Sequence, residues 1–199
     1  MDVMNLLITG VGGQGVVLAS DIIGEAAIAA GYDVKKTDTL GMAQRGGSVV
    51  SHVRVAKEVR SPLIKEGEVD LLLAFEKLEG ARWSHYLRPG GVAIVNNYEQ
   101  PPHTVSLGQE QYPADGDIAG ILKRQTGQVY IIDGSRRAAE LGNVRTLNTF
   151  MLGGLSVFAP LDVETWQDCI SRRLPEKLRG INLTAFAAGR KEIEGVRIG

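Results

Sequence analysis

The stretch ITGVGGQGVVLAS, residues 8–20, sets glycines at positions 10, 12, 13 and 15 between an apolar run and a run with helical spacing. Met4 to Thr9 is short, largely apolar and stops at a glycine, the pattern of a buried strand. From Val16, the residues Ala19, Ile23, Ala26, Ala27 and Ala30 recur at three- and four-residue intervals, so a helix should end at Gly31. Strand, glycine turn and helix in that order commit the chain to an α/β fold. They also place Gly10, Gly12 and Gly15 in G-x-G-x-x-G, with Gly13 and Gln14 between them. The first amides of a helix lack internal partners and its dipole is positive there, so phosphate or pyrophosphate is a fitting guest. A tight turn without a ligand is the alternative.

A dinucleotide loop needs more than glycines. An acid at the end of the second strand should hold the ribose hydroxyls. Here a strand over Asp33–Thr37 carries Lys35 and Lys36, with Asp38 slightly later. The triphosphate loop G-x-x-x-x-G-K-[ST] is absent. The glycine loop is therefore suited to phosphate without marking a dehydrogenase. A stand-alone NAD(P)-binding oxidoreductase remains one alternative, and a non-catalytic scaffold another.

Beyond the loop, strands are expected at SVVSHVRVA, VDLLLAF, VAIVNN and QVYIIDG, and helices at KLEGARWSHYL, DIAGILKRQTG and SRRAAELGN. RPGG reads as a turn, and QPPHTVSLGQEQYPADG as a surface connection with a short strand around His103–Leu107. From Arg145 the chain should be mainly helical, broken at Pro160, Pro175 and Gly180. The alternation predicts a Rossmann-like, mostly parallel sheet flanked by helices, with a helical C-terminal layer. No repeat or linker interrupts it, so one domain is expected. With 199 residues, such a chain buries a core without staples.

A net charge of −1 gives no nucleic-acid footprint and no electrostatic membrane anchor. No apolar run has signal-peptide or membrane-span length, which makes the cytoplasm the expected compartment. The single cysteine, Cys169, cannot supply the thiolates of an iron–sulfur cluster. It reads as a small buried hydrophobe.

A second loop, TLGMAQRGGSVVSHVRV, sets Arg45 before Gly46 and Gly47, with Ser48 opening a strand. Arginine offers a planar fork for carboxylate or phosphate, and paired glycines let a ligand or another backbone come close. The two loops, followed by VDLLLAFE, LRPGGVAIVNN, NTFMLGGL and NLTAFAAG, resemble the gamma domain of the 2-oxoacid:ferredoxin oxidoreductases from about Asn5 to Gly189. The variant GMAQRGG is most similar to the small (beta) subunits of the indolepyruvate branch.

That resemblance makes residues 1–199 a single gamma-type domain of the pyruvate/ketoisovalerate oxidoreductase kind. It implies a reaction in which thiamine diphosphate attacks an arylpyruvate, carbon dioxide leaves, electrons pass through iron–sulfur clusters to ferredoxin, and coenzyme A takes the acyl group. This chain lacks a G-D-G segment followed by a magnesium-ligating asparagine. A large alpha subunit is expected to carry thiamine diphosphate, Mg2+ and the clusters. No catalytic residue and no metal ligand is assigned to the chain itself, and a free copy is expected to pair with itself. The expected anion contacts are Gly10, Gly12, Gly13, Gln14, Gly15, Arg45, Gly46, Gly47, Ser48 and Asn148, the last opening NTFMLGGL. A coenzyme A phosphate is the expected anion, and contact with the partner's backbone alone is the alternative.

The remaining polar residues have ordinary readings beside functional ones. His52 has two readings, a place in the cleft from its strand and, more simply, an ordinary structural histidine. Glu76, just past LLLAF, reads as a helix-start carboxylate. Met42 reads equally as a cover for an apolar substrate or partner surface and as a loop methionine packed into the core. Phe150, Met151, Leu155 and Phe158 form a core stripe.

Overall fold

The computed structural model describes residues 3–40 and 46–197. Six strands form one sheet: β1 (Val3–Val11), β2 (Asp33–Leu40), β3 (Ser48–Ala56), β4 (Val69–Ala74), β5 (Leu87–Asn96) and β6 (Gln128–Ile132), in the order β2-β3-β1-β4-β5-β6. β1 is antiparallel to β3, and β3 to β2, while β1, β4, β5 and β6 pair in parallel. β3 therefore runs against the other five strands. It also separates β1 from β2, so β1 and β2 do not pair.

Alternation within the strands divides the core. Leu6, Ile8, Leu71, Leu73, Val92 and Ile94 face one layer, and Leu7, Leu72, Ala93 and Val95 the other. The first layer contains α1 (Val16–Ala29), α6 (Leu147–Ser156), α7 (Val163–Arg173) and α8 (Glu176–Arg197); the second contains α2 (Lys77–Trp83) and α4 (Asp115–Gln125). The helices α3 (His103–Ser106) and α5 (Gly134–Glu140) are short. Among the described residues no helix is long and apolar enough to cross a membrane.

Three local expectations are corrected. RPGG is not a turn between elements; it lies inside β5, where the register with β4 shifts between Val69 and Leu71. Its two glycines form an irregularity within the ladder rather than an end to it. The segment at His103 is a single helical turn instead of a strand: Ser106 N–H donates to Pro102 O at 3.0 Å, and the segment contributes no strand to the sheet. Gly180 does not break the C-terminal helix, which runs through it for 22 residues. The apolar face beyond it, including Ala185, Phe186 and Ile193, is fully buried, and that burial outweighs the roughly 1 kcal/mol a glycine costs a helix.

In the helical layer, α6 and α8 cross with their backbones touching. A Cβ at Gly153 would collide with the Phe186 carbonyl oxygen and lie 2.9 Å from its carbon. One at Gly189 would collide with the Phe150 carbonyl oxygen and lie 2.8 Å from its carbon. The glycines of NTFMLGGL and NLTAFAAG thus let two buried helices approach to main-chain contact.

Candidate anion cleft at the glycine loop

β1 delivers the chain to a turn that is closed by its own side chain. Gln14 Oε1 accepts the Val11 N–H at 2.8 Å, and Gln14 N–H donates to Val11 O at 3.0 Å. Gly15 then caps α1 with φ +81°, a conformation glycine adopts without the Cβ penalty. No side chain caps α1 and no acid sits in its first turn, so no local side-chain cap or first-turn acid offsets the positive end of that helix. Asn148, near the start of α6, locks the turn from the far side. Its Nδ2 donates to Gln14 O at 2.9 Å and to Gly15 O at 2.8 Å. A Cβ at Gly15 would lie 2.9 Å from Asn148 Cγ. The position therefore requires glycine for space as well as for dihedral angle.

The second loop touches the first. Gly12 N–H donates to Gly47 O at 2.8 Å. Ser48, opposite Val11 in the ladder, donates its hydroxyl to the buried Glu79 carboxylate at 2.5 Å, and Arg82 meets the other Glu79 oxygen at 2.8 Å. Gly46 is exposed. Arg45 and Met42 lie outside the described residues.

A cleft of about 600 Å³ opens at the carboxyl end of the parallel strands, where open α/β sheets place ligands. Gly13, Gln14, Gly15 and Asn148 line it, together with Leu18, Tyr98, Gln100, Ser135, Val144, Arg145 and Leu147. The structure thus brings four of the sequence-derived residues to one concavity. Gly10 is buried, and Gly12 is engaged with Gly47. Sequence reasoning missed Arg145. It is exposed at the cleft, and its guanidinium has no carboxylate partner among the described residues. Its only signal in the sequence is a position three residues before Asn148.

Glu76 is a helix cap: its Oε2 accepts the Glu79 N–H at 2.8 Å at the start of α2. His52 does not share the cleft. It is 5% exposed, accepts the Ile64 N–H on Nδ1 at 3.4 Å, and meets Tyr86 edge-on at 5.6 Å. Burial lowers its pKa below 6.5. The folded state thus binds this proton less well than the unfolded chain, and stability should fall as pH drops through about 6.5 and below. The urea midpoint is expected to decrease between pH 7.5 and 5.5, and less steeply in His52→Phe.

The second strand end is unfit for a ribose. Lys36 Nζ is held by Asp21 at 2.5 Å, Asp38 at 3.0 Å and Ser20 at 2.9 Å. With β3 interposed, that end also stands two strand spacings from β1, roughly 9.5 Å, instead of one. Cys169 is 1% exposed, and among the described residues no three His, Cys, Asp or Glu side chains are grouped to hold a metal. One cysteine cannot supply the thiolates of an iron–sulfur cluster.

The family model described as pyruvate ferredoxin/flavodoxin oxidoreductase matches residues 5–192. The chain belongs to this family. It is 37% identical over 190 residues to the indolepyruvate oxidoreductase subunit IorB of Pyrococcus horikoshii, covering 94% of each chain. It is 36% identical over 188 residues to the same subunit of Archaeoglobus fulgidus, covering 94% of this chain and 93% of that one. Among solved structures, the gamma subunit of a keto/oxoacid ferredoxin oxidoreductase from Geobacter sulfurreducens superposes with TM-score 0.72 at 23% identity, covering 96% of this chain and 99% of that one. A 2-oxoglutarate:ferredoxin oxidoreductase from Magnetococcus marinus superposes with TM-score 0.76 at 22% identity; 98% of this chain matches 32% of that longer one. These two likenesses establish the family's α/β fold, with its six-stranded mixed sheet and C-terminal helices.

Proposed function

We propose that this chain is the accessory small subunit of a heteromeric 2-oxoacid:ferredoxin oxidoreductase that decarboxylates indolepyruvate and related arylpyruvates. One observation carries the reading. Identity is 36–37% over almost the full length of the indolepyruvate subunits, against 26–28% for the 2-oxoglutarate and pyruvate/ketoisovalerate subunits. In this reading residues 1–199 work as one gamma-type domain in the cytoplasm. A large alpha subunit holds thiamine diphosphate, Mg2+ and iron–sulfur clusters, and electrons leave through ferredoxin. Without its partner the chain pairs with itself.

The cleft is the chain's contribution. A coenzyme A phosphate seats at the N-terminus of α1 beside Gly13 and Gly15, with Arg145 next to it, and Arg45 of the Arg-Gly-Gly sequence is the second cation proposed to meet it. The α1 start without a side-chain cap and the Arg145 guanidinium, which has no carboxylate partner among the described residues, support this. Tyr98 and Val144, 42% and 65% exposed at the same rim, offer apolar area for the facing subunit.

The test uses the co-purified complex. Arg45→Ala and Arg145→Ala should each raise the KM for coenzyme A about tenfold or more, the loss of one charge-assisted contact, with the KM for the oxoacid unchanged. Unchanged coenzyme A kinetics in a fully assembled complex would defeat the anion role and leave a scaffold. A higher kcat/KM for pyruvate or 2-oxoglutarate than for indolepyruvate would defeat the substrate assignment.

A further inference from the structure

The connection leaving β5 forms one wall of the cleft through Tyr98 and Gln100, and it is tied to the first residues of α2. Glu76 is 1% exposed. Capping α2 occupies only its Oε2. Its Oε1 turns to the connection, accepting the Gln100 N–H at 3.2 Å and the hydroxyl proton of Tyr112. Lys77 adds two ties: its N–H donates to Tyr98 O at 3.1 Å, and its Nζ meets Glu99 at 2.7 Å and also Asp115. Gln100 Oε1 in turn accepts from Gln14 Nε2 at 3.4 Å, and Gln14 is the residue that closes the glycine turn. A continuous run of contacts therefore joins a buried carboxylate to the floor of the cleft.

We infer that Glu76, acting with Tyr112 through Gln100, is a positioning residue that fixes the width of the cleft and the pose of Gln14 for the anionic co-substrate. This rests on the reading that the cleft receives coenzyme A. A cap alone requires one oxygen and an aspartate or serine would serve; the second oxygen serves the wall. The Tyr112 hydroxyl that donates to it also accepts the Leu78 N–H at 3.2 Å, tying the wall to the first turn of α2. Burial, with the Glu76 carboxylate adding to it, holds the Tyr112 pKa well above the ordinary phenol range, so the hydroxyl remains a donor throughout the physiological range.

Tyr112→Phe deletes that hydroxyl and leaves the ring. Glu76→Gln keeps the size of the cap and weakens the second set of bonds. Both are made in the assembled complex, with coenzyme A binding read by titration calorimetry in the absence of oxoacid and turnover read separately. Both should raise the Kd and KM for coenzyme A about fivefold, with kcat within about twofold and the oxoacid KM unchanged. Arg145→Ala is run alongside. If Arg145→Ala weakens coenzyme A binding and the other two do not, the positioning role is wrong and the cleft reading stands. If Arg145→Ala has no effect, the cleft reading fails and takes the positioning role with it. A lowered melting temperature with unchanged coenzyme A binding in Tyr112→Phe and Glu76→Gln would make the network purely structural and overturn the inference.

Discussion

Gly153→Ala is expected to destabilise the chain by about 3 kcal/mol or more, enough to leave much of it insoluble, because the added methyl meets the main chain of α8. The Phe186 carbonyl occupies that space, with Arg190 N 3.1 Å away. Side chains can change rotamer, but two buried helices can only move apart. Separating α6 from α8 would open the cluster that holds Phe150, Phe186 and Ile193. Gly189→Ala should behave alike, since its neighbour is the Phe150 carbonyl. Gly180→Ala is the internal contrast. That glycine lies in the same helix with nothing within 4 Å of its would-be Cβ, and alanine there should stabilise by roughly 0.5–1 kcal/mol. Urea melts of the three variants check both signs.

Asn148→Asp should be the most damaging single-atom change in the cleft, at about 2–4 kcal/mol near neutral pH. The amide nitrogen that donates to Gln14 O and Gly15 O would become an oxygen facing two oxygens. The folded state would then disfavour the charged carboxylate, so the aspartate's folded pKa should rise above its unfolded value near 3.9. Lowering the pH toward that folded pKa should return stability to the variant, whereas His52 drives the unmodified chain the opposite way. Urea midpoints at pH 7.5 and 5 should therefore converge between the two proteins. Divergence on acidification would show that Asn148 does not hold the loop.

The order of elements was legible because strand and helix periods are local, and so was the helix start at Gly15. The place of β3 was not. SVVSHVRVA reads as a strand in either direction, and only pairing with both β1 and β2 shows that it runs against its neighbours. The residue pattern of NTFMLGGL and NLTAFAAG was visible. The reason for its glycines was main-chain contact across a long stretch of sequence, Gly153 against Phe186 and Gly189 against Phe150, which no window reveals. Within the cleft, the glycines announced themselves by spacing. Arg145, Tyr98 and Gln100 carry no motif and arrive from distant connections, as does Glu76, whose second oxygen has meaning only once Gln100 and Tyr112 are beside it.

Interposing β3 has a thermodynamic corollary. A dinucleotide fold grips its guest at two places, phosphate and ribose; here the second handle stands too far off and its lysine is already spoken for. A long anionic molecule seated at the α1 terminus would thus leave most of its length free of this polypeptide, and the remainder must find its hold on whatever chain faces the opening. On the proposed reading such a molecule would act as glue between subunits: its occupancy would tighten their association, and their association would tighten its occupancy by the same factor.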